Sequence, residues 1–258
     1  MLELNNVTKI FNKGTPNEKI ALNNVSLTLQ DKDFVTIIGG NGAGKSTLMN
    51  IISGKMKPDS GRILIDGKDI TNMSEHKRAK FFGRVFQDPL MGTAANMLIE
   101  ENLSVASLRG KRRTLRFGIS KKERAKYKEL LKELDLGLED RLKTEVGLLS
   151  GGQRQALTLL MASMNNPKLL LLDEHTAALD PKTSAKVLAI TDKIVNENRL
   201  TTLMITHNMH DAIIHGNRLI MMNNGEIALD ISGEEKRSLT VKSLLDRFDG
   251  VASDRMLL

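Results

Sequence analysis

The residues best suited to chemistry are Gly39-Gly40-Asn41-Gly42-Ala43-Gly44-Lys45-Ser46, with Thr47 next in line. They fit G-x-x-x-x-G-K-[ST] and stand between an apolar strand at 34–38 and an apolar helix starting at Ser46. Glycines at this spacing let successive backbone N–H groups curl around phosphate oxygens without Cβ clashes. Lys45 is placed to reach β- and γ-phosphates, and the Ser46 hydroxyl to ligate Mg²⁺. A second element, Leu169-Leu170-Leu171-Leu172-Asp173-Glu174, is an apolar strand ending in two acids. Asp173 suits Mg²⁺, held through water, and Glu174 suits a general base or water-positioning role. Alone, two strand-end acids could simply face solvent. The phosphate loop in the same chain tips that balance.

Three polar residues gain meaning from position. Gln87, in Val85-Phe86-Gln87-Asp88-Pro89, follows a short apolar strand and precedes a turn, where its amide can meet Mg²⁺ and the attacking water. His207 follows the strand 203–206 and is within reach of a γ-phosphate, although a lone His is more often structural. Asp180 before Pro181 reads as a helix N-cap. One further stretch, Leu149-Ser150-Gly151-Gly152-Gln153, opens an apolar helix carrying Leu157, Leu160 and Met161. A helix N-terminus with a hydroxyl and small residues is a second place for an anion.

These residues need a scaffold, and the pattern predicts one. Leu2-Glu3-Leu4, alternation over 25–30, and 62–65 followed by Asp66-Gly67 read as antiparallel strands near the N-terminus. Residues 12–19 are the loop between two of them. The apolar runs 34–38, 169–172 and 203–205, separated by helical patterns, read as buried parallel strands. Residues 95–165 are mostly helical in pattern, with a capping box at Ser120 and Glu123. Residues 218–222, Asn224-Gly225 and 227–229 form a hairpin signal. Val241, Leu244, Leu245 and Phe248 have helical spacing suited to packing. The expected fold class is α/β: a buried parallel sheet carrying the phosphate loop, an N-terminal antiparallel β-subdomain, and a mostly helical stretch.

The bulk properties agree. The chain has 258 residues and no Cys, which removes disulfides and thiolate metal sites. One Tyr, seven Phe and no Trp argue against a base-stacking nucleic-acid platform. No run approaches the roughly 20 apolar residues of a membrane helix, and the first residues carry no export signal. Much of the net charge of +7 lies at 109–128, either a solvated helical face or a docking surface for nucleic acid or an anionic membrane surface.

Taken together, GGNGAGKS, Gln87 in VFQDP, LSGGQ at 149–153, LLLLDE at 169–174, Ala178-Leu179-Asp180 and His207 resemble, in order and spacing, the ATP-binding cassette (ABC) ATPases. The resemblance covers about residues 1–232, with 233–258 a helical C-terminal extension. It implies a RecA-like P-loop NTPase core with an inserted α-helical subdomain at about 88–165, ATP and Mg²⁺, and a head-to-tail dimer with a second copy of the chain. Each ATP would lie between one chain's phosphate loop and the partner's Ser150, Gly151, Gly152 and Gln153, with Asp180 facing the opposing phosphate loop. It also implies that Phe11 stacks on adenine, where Tyr is usual. His175 stands for a common Pro, Asn208 for a common acid and Gly40 for a common Pro. The segment 144–147 is less usual, and its contacts are not readable from the sequence.

The activity implied is ATP hydrolysis that drives transport through separate membrane permease subunits, most simply import. The cytoplasmic face of the membrane is the implied location. The chain also resembles the subgroup paired with a substrate-binding protein and one permease, with aromatic amino acids as cargo. The alternative is a non-transport ABC ATPase acting on nucleic acid or the ribosome. Such chains carry coiled-coil insertions or tandem cassettes, and neither is present, so no nucleic-acid partner is expected. A P-loop kinase or GTPase would leave LSGGQ and His207 without a role.

Overall fold

The computed structural model describes residues 1–111 and 118–254, with side chains to 247. Its strands are β1 (Leu2–Phe11), β2 (Lys19–Leu29), β3 (Phe34–Gly39), β4 (Ser60–Ile65), β5 (Lys68–Asp69), β6 (Phe82–Val85), β7 (Leu169–Asp173), β8 (Thr202–Ile205), β9 (Arg218–Asn223) and β10 (Glu226–Ser232). Its helices are α1 (Lys45–Ser53), α2 (Glu75–Arg78), α3 (Ile99–Ser107), α4 (Lys121–Lys132), α5 (Gly151–Ser163), α6 (Pro181–Asn198), α7 (Met209–Ile214), α8 (Gly233–Arg237) and α9 (Val241–Asp254). The chain divides into two units, Met1–Glu75 with Thr201–Leu258, and His76–Leu200.

In the first unit the N-terminal alternation produces the antiparallel sheet β2-β1-β4-β5. Leu2 pairs with Leu29 and Ile65, and Leu4 with Leu27 and Ile63, so all six side chains turn to one buried face. Asp66 and Gly67 both have positive φ, the requirement of a tight turn into β5. The same unit holds the parallel trio in the order β9-β3-β8, with β10 added antiparallel to β9. Asn224 and Gly225, again at positive φ, make that hairpin. The run 34–38 is not wholly apolar: Thr36 is fully buried and donates to Ala212 O at 2.8 Å, which removes the cost of its hydroxyl. Leu48, Met49, Ile51 and Ile52 bury one face of α1, each contributing about 1.5–3 kcal/mol.

The C-terminal extension is part of this unit's core. Leu239 and Leu244 share a buried cluster with Ile38, Ala212, Leu219 and Met221. Packing is what the spacing at 241–248 predicts for Leu244. Val241 and Leu245 are exposed, and the side chain of Phe248 lies outside the described residues.

In the second unit β6 and β7 pair in parallel, Phe82 with Leu169 through Val85 with Leu172. The short strand before Gln87 is β6, and it is not wholly apolar, since it includes Gly83 and Arg84. Gly83 is needed for packing: a Cβ there would stand 2.3 Å from Ala162 O, at the end of α5. The expected helical stretch 95–165 resolves into α3, α4 and α5 with irregular chain before Ser150. Arg124 of α4 grips Glu100 of α3 through Nε and Nη2 at 2.6 and 3.0 Å. Ser120 and Glu123 form the expected capping box. Within the basic stretch 109–128, Arg112 and Arg113 lie outside the described residues.

Candidate functional site

The phosphate loop leaves β3 through Gly39 and enters α1 at Gly44. Both glycines are sterically required. A Cβ on Gly39 would meet Met222 O at 2.3 Å, and one on Gly44 would meet Ala21 O at 2.5 Å, with φ at +151° and +103°. Ala43 N donates to Gly40 O, and Gly225 N donates to Ala43 O, tying the loop to the β9–β10 turn. Lys45 is 8% exposed, and its Nζ donates to Gly39 O at 2.7 Å and Gly40 O at 3.1 Å. These carbonyl contacts fold the ammonium back over the loop. Asn41 and Ser46 are exposed and Thr47 is half-buried beside it.

Phe11 ends β1 and pairs across the sheet with Lys19. The Lys19 ammonium lies 3.1 Å from the position of a Gly42 Cβ. Lys19, paired with Phe11, therefore brings a second cation to the phosphate loop. Sequence reasoning missed Lys19, because only the β1–β2 register reveals it. His207 is exposed after β8. Its loop is pinned by Asn208 N donating to Thr206 Oγ1 at 3.1 Å. Asn208, the departure from the common acid, caps α7 by accepting from His210 N and Asp211 N.

In the second unit Asp173 closes β7, and its Oδ2 accepts from Arg84 Nη2 at 2.9 Å. Glu174 follows with φ +46°, a left-handed turn that swings its side chain out of the strand line. His175 is 2% exposed and contacts Thr191 Oγ1 through Nε2 at 3.0 Å. Since Thr191 gives its own proton to Val187 O, Nε2 is the donor. A buried, hydrogen-bonded ring thus occupies the place of the common Pro. Gln87 is exposed just beyond β6, and the preceding Phe86 carbonyl accepts from Gln155 Nε2 at 3.1 Å.

Ser150 caps α5 in a capping box with Gln153: Ser150 Oγ accepts from Gln153 N at 3.3 Å, and Gln153 Oε1 accepts from Ser150 N at 3.2 Å. The pattern is the one recognised at Ser120, and it was legible here too. A Cβ on Gly152 would stand 2.2 Å from Thr183 Cγ2, and one on Gly151 3.2 Å from Leu179 Cδ2. The two glycines therefore let α5 start against the segment that opens α6. Asp180 caps α6, accepting from Thr183 N at 3.1 Å. The side chain and N–H of Thr183 hold its carboxyl below the usual range. LSGGQ and Asp180 are thus brought together within one unit. A cleft of about 400 Å³ between the start of α5 and α6 is lined by Ser150, Gly152, Gln153, Lys182 and Lys186. The unusual segment before LSGGQ has a structural task. Ile99 N donates to Thr144 O, Val146 N to Met97 O and Gly147 N to Ala95 O, so residues 144–147 dock on 95–99.

A groove of about 500 Å³ in this unit is lined by Arg84, Met91, Met97, Val105, Arg109 and Met161. Met91 and Val105 are more than half exposed at its mouth, while Arg109 caps the end of α5 by donating to Ala162 O at 2.5 Å.

Comparisons with known proteins match this anatomy. The ABC transporter family description matches residues 22–177. The chain is 48% identical over 249 residues to a tyrosine transport ATP-binding protein of Clostridioides difficile (strain R20291), covering 96% of this chain and 99% of that one. It is 33% identical to an energy-coupling factor transporter ATP-binding protein EcfA2 of Acetivibrio thermocellus, with 88% and 78% covered. Among solved structures, the ATP-binding cassette MJ0796, a dimer in a post-hydrolysis state bound to ADP and Pi, superposes with a TM-score of 0.75 at 32% identity, over 90% of this chain and 98% of that one. These likenesses support the RecA-like α/β fold that the resemblance implies. The chain belongs to the ABC transporter family, as an ATP-hydrolysing cassette.

Proposed function

We propose that this cassette energises import of an aromatic amino acid, by pairing with a second copy of itself on ATP and docking on separate permease subunits. The observation that carries the cargo class is 48% identity, over almost the full length, with a tyrosine transport ATP-binding protein. Among the described residues no helix is long and apolar enough to cross a membrane. We place the cassette at the cytoplasmic face, with a substrate-binding protein as the third component.

Residues 1–232 form the ATPase domain in this reading, 88–165 its helical subdomain and 233–258 an extension. Lys45 and the N–H groups of 39–47 hold phosphates, Phe11 stacks on adenine, and Glu174 takes the proton of the attacking water. His207 donates to the γ-phosphate. Ser150, Gly151, Gly152, Gln153 and Asp180 serve the partner's nucleotide, and the lysines of their cleft add positive charge for it. Ser46, Asp173 and Gln87 are the metal ligands. Their donors are oxygen alone, and no cluster of three His, Cys, Asp or Glu forms a cage among the described residues. That set suits Mg²⁺, which keeps waters and substrate phosphates in its shell. When bound, it neutralises charge on the transferring phosphoryl group. The apolar groove beside Met91 and Val105 receives a permease helix, because exposed apolar surface of this kind marks an interaction site.

Phe11→Ala is expected to weaken ATP by roughly 1–3 kcal/mol, the scale of base–aromatic stacking. GTP should lose as much, since a π-face does not read base edges. Unchanged affinity for a fluorescent nucleotide would assign the base to another residue. For the cargo, the cassette reassembled with its permease and binding protein in liposomes should hydrolyse ATP faster on addition of tyrosine-loaded binding protein. A complex indifferent to tyrosine and phenylalanine would remove aromatic amino acids as cargo and leave the ATPase assignment standing.

A further inference from the structure

Arg84 belongs to none of the motifs above, yet it touches several of them. It lies opposite Leu171 in the β6–β7 pair, so its side chain shares one face with Asp173, two residues further along. Its Nη2 donates to Asp173 Oδ2 at 2.9 Å, with the two side chains 11% and 17% exposed. The guanidinium stands 4.8 Å from the centroid of the Phe86 ring, next to Gln87 in the chain. Arg84 also lines the groove beside Met91 and Val105. One cation therefore connects the carboxylate assigned to the metal, the residue before the assigned amide ligand, and the surface assigned to the permease.

We propose that Arg84 is a positioning residue that couples occupancy of this groove to metal affinity. With the groove empty, it neutralises Asp173. When a permease helix seats against it, it yields that carboxylate. The inference rests on the transporter reading of the groove. A half-buried carboxylate at a strand end requires a counter-charge, and Arg84 supplies it without metal. A guanidinium and a divalent cation on the same carboxylate repel each other, and more strongly where water is scarce. Whatever draws Arg84 towards the groove therefore tightens the metal. By linkage, metal binding favours the state with the groove filled.

The test uses Mn²⁺ as the probe, its free concentration read by electron paramagnetic resonance, on the full chain loaded with a non-hydrolysable ATP analogue. Arg84→Gln removes the competing charge and is expected to bind Mn²⁺ at least about five-fold tighter than wild type. Arg84→Lys, which keeps a cation beside the carboxylate but not the stacked guanidinium, should bind Mn²⁺ more weakly than Arg84→Gln. Unchanged or weaker Mn²⁺ binding by Arg84→Gln overturns the coupling. A second arm leaves Arg84 in place: wild-type cassette assembled with its permease should hold Mn²⁺ tighter than the free subunit. Equal affinity in the two also overturns it. Assembly itself separates the readings: a wild-type cassette that fails to bind its permease would strike the transporter reading of the groove, whereas an assembled complex with unchanged Mn²⁺ affinity confines the failure to Arg84.

Discussion

Glu174→Gln is expected to slow ATP turnover by at least about two orders of magnitude, the contribution of a positioned general base, while ATP binding survives. The substitution keeps the size of the side chain and removes its charge and basicity. The groups assigned to the phosphates, Lys45 and the amides after Gly39, are untouched. The setting of Glu174 supports a functional reading. Its backbone adopts φ +46°, a left-handed conformation that non-glycine residues hold at a cost of roughly 1–3 kcal/mol. Such a cost persists where the surroundings enforce it, and here the next residue, His175, is buried and hydrogen-bonded to α6 through Thr191. With hydrolysis blocked, the protein should accumulate as an ATP-bound dimer on size-exclusion chromatography. Near-normal ATPase activity in Glu174→Gln would remove this residue from the catalytic role.

Mixing two inactive proteins, Lys45→Ala and Ser150→Arg, is expected to restore activity. Lys45→Ala removes the ammonium that now folds over Gly39 O and Gly40 O, and with it the hold on the chain's own phosphates. Ser150→Arg replaces the α5 cap with a bulky side chain at the cleft assigned to the partner's nucleotide. If each ATP site were built within one chain, every site in a mixed dimer would be broken. If sites are shared, a mixed dimer has one doubly broken site and one intact site. Random mixing makes half the dimers mixed with half their sites intact, so recovery reaches at most about a quarter of wild type by twofold symmetry. Complexes reassembled with the permease and carrying two affinity tags give the cleanest readout. Dead mixed complexes, with both tags confirmed, would refute the shared site.

Several features of this protein follow from local chemistry, and the sequence alone determined them. The glycine and lysine spacing at 39–46, the caps at Ser120 and Asp180, the turns at Asp66-Gly67 and Asn224-Gly225, and the strand periods all depend on residues a few positions apart. Backbone sterics and side-chain period act over that range, so they can be read directly. The tertiary structure alone decided the long-range contacts. Arg84 reaches Asp173 across 89 positions because parallel pairing sets Arg84 opposite Leu171. Lys19 comes to Gly42 because β1 and β2 pair Phe11 with Lys19. Gly152 must be glycine because Thr183 of α6 lies against it, and 144–147 are held by 95–99. Such contacts depend on register and on which elements pack together. A one-residue slip in a strand would turn every side chain on it to the opposite face, and no local pattern at Arg84 or Lys19 encodes the partner that the register supplies.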